Sequence, residues 1–287
     1  MITNEIMNIT TNERRTWFGL QFVMVILLQN ISQLVYLSLY ALFSGRGFTV
    51  DFASKVFLVS ELFSTALTIL IFLVYALFVE KRSLVSLGFN YKRFLFEGFK
   101  GWLLGSTCIY LIVTIVDKLV RAQLVFTDNI DVGLIVLYLI GFVIQGLSEE
   151  VIFRGYLMNG LATRLKPFTA IVISSFIFAL VHILNGHFFV WSFLSLLFLG
   201  LLLGLLFYER QNIWFVAGLH AGWNFTLGVI FGSNISSIDL GISVFKTNFY
   251  SKSPILSGGH FGLEGSFIAT IVLVMGCLIY YVHFIRS

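Results

Sequence analysis

The chain has 287 residues, 58% hydrophobic and only 11% charged, with a mean hydropathy of +0.95. A soluble globular chain is about 25% charged, so a water-facing fold is excluded; the long, unbroken apolar runs exclude a membrane barrel of short alternating strands. The net charge of +4 is dispersed over the ends of apolar segments, the ordinary membrane pattern, and does not point to nucleic acid as a partner.

An all-α, polytopic bundle of about eight spans follows. Spans are expected at roughly 16–43, 56–79, 97–119, 130–150, 168–186, 188–208, 213–232 and 266–285, each uncertain by about 2–4 residues. Residues 1–15 are polar and mixed in charge and form an expected cytoplasmic tail. The first apolar run is too long for a signal-peptide core, so no cleaved leader is expected. Residues 16–287 then form a single transmembrane domain with no internal repeat. The first span carries Gln21, Gln29, Asn30 and Gln33, so part of it is expected to face protein. Cys108 and Cys277 both fall in apolar runs, which argues against a disulfide framework.

Orientation follows from basic residues at span ends. One side carries Arg14, Arg15, Lys81, Arg82, Lys92, Arg93, Lys100, Arg164, Lys166, Arg210 and Arg286. The other carries Arg46, Lys55, Lys118, Arg121, Lys246 and Lys252. The excess places both the N-terminus and the C-terminus in the cytoplasm. The 233–263 segment is then a polar loop on the opposite side. Glycines recur at four-residue spacing as Gly101 with Gly105, Gly200 with Gly204 and Gly218 with Gly222, which lets helices approach closely.

The fourth span runs without a charge from Val132 to Leu147 and then meets Ser148-Glu149-Glu150-Val151-Ile152-Phe153-Arg154. Its helix is expected to continue to about Leu165, where Pro167 blocks it and can open the next one. Charges are costly in a span and are functional by default. On a helix Glu150 and Arg154 are four apart and can pair. Glu149, rotated by about 100°, cannot share that arginine equally. It is a leftover carboxylate, suited to general acid or base chemistry. The plainer alternative is a solvated charge cluster at the end of a span.

Phe178-x-x-x-His182 lies in the fifth span. Glu149 and His182 are about 24 Å and 21 Å along their helices from the turn at Lys166 and Pro167, so an antiparallel hairpin sets them at similar height. His220-x-x-x-Asn224, in the seventh span, puts an imidazole and an amide on one face. A lone histidine on an apolar helix is more often a packed residue, and a His/Asn pair is as readily packing glue. Together, however, the residues supply a carboxylate, two imidazoles and an amide. That set suits amide hydrolysis, and equally a metal site with Glu149, His182 and His220 as ligands. The helical H-E-x-x-H zinc motif and the G-x-S-x-G elbow are both absent.

Glu149-Glu150-x-x-x-Arg154, Phe178-x-x-x-His182 and His220-x-x-x-Asn224, on successive parts of a membrane bundle, resemble the CAAX-protease and bacteriocin-processing family of intramembrane proteases, also called the Abi family. The motif region covers about 125–232. The resemblance implies an eight-helix bundle with a polar cavity open to the cytoplasm, and cleavage of a peptide bond near that face. It implies that Glu149 and His182 activate water and that His220 and Asn224 hold the oxyanion, with Glu150, Arg154 and Phe178 in support. It further implies a metal-free, glutamate-dependent enzyme, or a metalloprotease if Zn²⁺ is bound. The implied partners are membrane lipids and a peptide or membrane-protein substrate, lipidated or not.

Composition leans toward a bacterial cell membrane. Two other functions fit a membrane bundle with buried polar groups. One is a non-catalytic bacteriocin-immunity or binding protein of the same family. The other is a transporter using Glu61, Asp117 and the Glu149 pair as a relay, against which the lack of an inverted repeat weighs.

Overall fold

The computed structural model of the protein describes residues 5–12, 16–44, 51, 54–120, 122–128, 130–249 and 253–286. Arg14, Arg15, Arg46, Arg121 and Lys252, counted above for orientation, lie outside the described residues. A short helix, α1 (Glu5–Asn12), precedes the spans. These are α2 (Phe18–Phe43), α3 (Lys55–Val74), α4 (Phe94–Val120), α5 (Val132–Glu150), α6 (Pro167–Val181), α7 (Val190–Arg210), α8 (Ile213–Phe225) and α9 (Phe267–Arg286). Strands β1 (Ala122–Phe126) and β2 (Phe245–Phe249) pair antiparallel. With their terminal turns, eight helices are long and apolar enough to cross a membrane, from Gly19–Phe43 to Phe267–Ile285. The chain is a polytopic, all-α integral membrane protein.

Local chemistry sets the helix boundaries. Ser54 caps α3 by accepting from Phe57 N at 3.2 Å, and Asp131 caps α5 by accepting from Leu134 N at 3.0 Å. Pro167 opens α6, where its missing N–H costs nothing. Gln211, at φ 49°, turns α7 into α8, which Asn212 caps by accepting from Trp214 N at 3.0 Å.

α8 is the central helix. Its span is 83% buried inside the protein, against 17% for the span of α3. Glycines explain how it gets there. Cβ atoms at Gly101 and Gly105 of α4 would collide with the α8 backbone at Phe215 and Leu219, and Cβ atoms at Gly218 and Gly222 of α8 would collide with the α4 backbone at Gly98 and Trp102. The two Gly-x-x-x-Gly stripes therefore face one another, and backbone meets backbone with no side chain between. Gly146 of α5 approaches α8 in the same way at Ala217 and Ala221.

The polar loop expected at 233–263 is structured over its described residues, 233–249 and 253–263. It carries β2, buries Leu240 and Phe261, and is tied down by Tyr138 Oη donating to the Leu240 carbonyl at 3.2 Å. The two ends of the bundle are distinct. One end holds 80–93, 163–166 and 211–212, joined by Ile213 N donating to the Gly88 carbonyl at 2.9 Å, with α1 against it through Ile6 and Thr10. The other end holds 122–128, 185–189, 231–249 and 253–266, joined by the β1–β2 pair and by Ser237 N donating to the Phe261 carbonyl at 3.0 Å.

Candidate active site

The fourth span is where the fold departs from a plain α-helix. α5 runs to Glu150, widens into a π-helix over Val151–Met158, and resumes over Asn159–Ala162. A π segment lengthens the carbonyl-to-amide ladder and frees carbonyl groups, and such segments mark functional sites. Arg82 donates to two carbonyls of the segment, Gly155 O at 2.9 Å and Tyr156 O at 3.3 Å, the latter also accepting from Asn159 N. Arg82 is held in turn by Ser86 and lies 3.7 Å from Glu80, all buried. The carboxylate pair thus sits where a regular helix gives way to a wide one pinned from outside.

The two adjacent glutamates separate as their helical angle requires. Glu150 is fully buried and its Oε1 accepts from Arg154 Nη1 at 3.0 Å, while Arg154 Nη2 donates to the Gly200 carbonyl at 3.0 Å. The Arg154 guanidinium lies over the Phe178 ring at 4.9 Å. The same Glu150 oxygen is 2.9 Å from His220 Nδ1. A carboxylate only accepts, so that nitrogen carries the proton, and Nε2 is the ring nitrogen turned toward Glu149. Glu149 stays 22% exposed, and its Oε2 lies 3.7 Å from His220 Nε2. That oxygen is buried and has no hydrogen-bond partner among the described residues.

Glu149 Oε1 accepts from Gln145 Nε2 at 2.5 Å, and Gln145 Oε1 accepts from Asn224 Nδ2 at 3.0 Å. One amide of Asn224 therefore connects to Glu149 through Gln145. His182 Nδ1 lies 2.7 Å from the Phe178 carbonyl, which can only accept, so this ring also directs a free Nε2 away from its own helix. Phe178 packs against both imidazoles, with ring centroids 4.8 Å from His182 and 6.1 Å from His220.

Glu149, His182, His220 and Asn224 line one cavity of about 220 Å³ together with Phe178 and Gln145. The level match expected between α5 and α6 is present. Glu150 and Arg154 lie behind this wall. The close approach that Gly218 and Gly222 allow is made by α4. Glu61 and Glu149 line the cavity and Asp117 does not, so the relay of Glu61, Asp117 and the Glu149 pair is not assembled there.

Three cavity residues escaped the sequence reading of the site. Gln145 stands one turn before Glu149, and that i,i+4 spacing was its available signal. Glu61 was weighed only as part of a relay. Glu264 had no signal. It sits in the turn Leu263–Gly265, and its Oε1 accepts from Ser236 N at 2.6 Å and Ser236 Oγ at 2.9 Å, while Oε2 accepts from Trp223 Nε1 at 3.3 Å. Burial pushes its carboxyl above the ordinary carboxylate range, opposed by the Ser236 and Trp223 hydrogen bonds and by His182 nearby.

Glu149, His182 and His220 were the alternative zinc ligands. Among the described residues no three His, Cys, Asp or Glu side chains are gathered closely enough to hold a metal ion. Both Nδ1 atoms are engaged, leaving only the two Nε2 atoms and Glu149 Oε2 open. The residues present do not form a ready ligand set.

The cavity lies toward the end that holds 185–189, 231–249 and 253–266, with Asn185, Ser236 and Glu264 in its wall. Residues 5–12 and the 80–93 loop are at the opposite end. A cavity open to the cytoplasm and cytoplasmic termini therefore cannot both hold in this fold. The conflict arises because the resemblance supplied one expectation and the charge count the other.

Residues 131–226 match the family model described as type II CAAX prenyl endopeptidase Rce1-like. The match spans Glu149 to Asn224, so the resemblance carried by those motifs is borne out. No curated protein sequence matches the chain.

Proposed function

We propose that this chain, with a CAAX-endopeptidase-like segment at 131–226, is an intramembrane endopeptidase that hydrolyses a peptide bond in the polar cavity. The observation that carries this reading is Glu149 Oε2, a buried carboxylate oxygen without a hydrogen-bond partner among the described residues, sharing a cavity with two imidazoles whose Nδ1 atoms are engaged elsewhere.

In this mechanism a water binds between Glu149 and His182 Nε2. Glu149 takes a proton from it, and the water oxygen bonds to the substrate carbonyl carbon. The carbonyl oxygen becomes the oxyanion and accepts from the second Nδ2–H of Asn224 and from His220 Nε2–H. For His220 to donate there, both ring nitrogens must be protonated, and the resulting cation is flanked by Glu149 and Glu150. The C–N bond then breaks, and the leaving nitrogen takes the proton that Glu149 received. Glu150 and Arg154 act as positioning residues: Glu150, itself held by Arg154, accepts from His220 Nδ1 and fixes the ring in the orientation the step needs.

The substrate is a peptide or a membrane-protein segment, lipidated or not, and the host membrane is a bacterial one. Zinc is not required by this sequence of steps. A non-catalytic immunity or binding role predicts that Glu149→Ala and His182→Ala leave function intact whenever the protein inserts. The endopeptidase reading predicts loss of cleavage in both. The test is purified protein in detergent against a panel of prenylated and leader peptides, with folding followed by thermal unfolding. Equal cleavage by the wild type and Glu149→Ala would remove Glu149 from the mechanism.

A further inference from the structure

We infer that the cavity opens on the non-cytoplasmic side of the membrane and that its substrate is an apolar peptide segment presented on that side. The inference rests on the endopeptidase reading for the word substrate, but its geometry is independent of it. The cavity wall includes Asn185, Ser236 and Glu264, all from the loops at one end of the bundle. Among the described residues the span ends at that end carry three basic residues, Lys55, Lys118 and Lys246. The opposite end carries eight with described side chains: Lys81, Arg82, Lys92, Arg93, Lys100, Arg164, Lys166 and Arg210. Basic residues in short loops stay in the cytoplasm. The basic end, with α1 and the end of α9, is therefore cytoplasmic, and the cavity faces away from it.

The lining selects the chemistry. Around the polar group stand Leu58, Leu62, Phe142, Leu196, Leu199 and Ile238, which favour apolar side chains flanking the cleaved bond. A lipidated cysteine on a cytoplasmic chain end would have to cross the bundle to reach the site.

The test is topological and needs no cleavage. Cys108 and Cys277 are replaced by alanine, and single cysteines are placed at the exposed positions Asp239 and Asp128 on the cavity side, and Lys92 and Lys166 on the other. A membrane-impermeant maleimide is added to intact bacterial cells. Labelling of Asp239→Cys and Asp128→Cys in intact cells is expected, with Lys92→Cys and Lys166→Cys labelled only after permeabilisation. The reverse pattern, or labelling of both sets in intact cells, overturns the inference. The unsubstituted protein supplies the same answer with an impermeant amine reagent, because Lys246 and Lys92 are both exposed. Modification of Lys92 before Lys246 overturns it. In membrane vesicles, an apolar peptide added outside is cut only by right-side-out preparations if the inference holds, and only by inverted ones if it fails. Absence of cleavage in both, with cavity-side labelling intact, would count against the endopeptidase reading and leave the orientation standing.

Discussion

Glu150 and Glu149 are neighbours with opposite environments, and each makes its own prediction. Glu150 is fully buried, and its one bonded oxygen serves both Arg154 and His220. Removing one partner leaves a buried charge uncompensated, which costs about 3–5 kcal/mol. Arg154→Met is expected to lower the thermal unfolding temperature markedly in detergent, whereas Glu149→Gln, half in the cavity, is expected to leave it nearly unchanged. Glu264 gives a pH prediction. Its native carboxyl binds its proton more tightly than the ordinary value of 4.5. The native state therefore holds more protons than the unfolded state just above pH 4.5, and stability falls as pH rises through that window up to the raised native value. Glu264→Gln is expected to remove that part of the decline, measured as the difference between the two unfolding-versus-pH curves. Equal slopes would show that Glu264 titrates alike in both states. At this scale the sequence was legible where spacing spoke. Glu149, Glu150 and Arg154 stand out because three charges in an apolar run need a reason, and helical angle alone divides them. Glu264 was invisible because it reaches Trp223 and Ser236 only through tertiary folding of a loop.

Elements carry the site by close approach and by one irregularity. α4 and α8 meet along Gly101, Gly105, Gly218 and Gly222, with no room for a Cβ at any of them. Gly222→Ala must push the Trp102 backbone away and shift α8 where His220 and Asn224 are carried. Overpacking of this kind costs about 1–3 kcal/mol, and cleavage is expected to fall along with stability; unchanged unfolding would show that the helices part freely. The irregularity is the π segment Val151–Met158, whose Gly155 and Tyr156 carbonyls accept from Arg82. Arg82→Met leaves buried carbonyls without that donor and is expected to cost about 1–3 kcal/mol, read by the same unfolding measurement. The eight spans were legible because about 20 apolar residues are needed to cross a bilayer, and the expected boundaries lie within a few residues of the observed ones. The π segment was not, since hydrophobic runs report length and not hydrogen-bond register. The β1–β2 pair was missed for a related reason: its strands are five residues each and far apart in sequence.

At the scale of the whole molecule, eight spans put a cavity of about 220 Å³ at one end of the bundle and most of the basic residues at the other. Charge counting read the asymmetry of the ends from sequence. Which end held the cavity depended on the height of His182 at the close of α6 and on the folding of 231–240 and 261–266, which no spacing rule conveys. The architecture brings Glu149, His182, His220 and Asn224 to one wall, and the central claim is that Glu149 is the base in peptide hydrolysis there. The most direct measurement is steady-state cleavage of one peptide by wild type and Glu149→Gln in detergent, each with and without a strong chelator. A kcat lower by about 10²–10⁴-fold with KM little changed is predicted, since general base catalysis contributes about that much, and the wild-type rate is predicted to survive the chelator. A Glu149→Gln kcat equal to wild type would contradict the account.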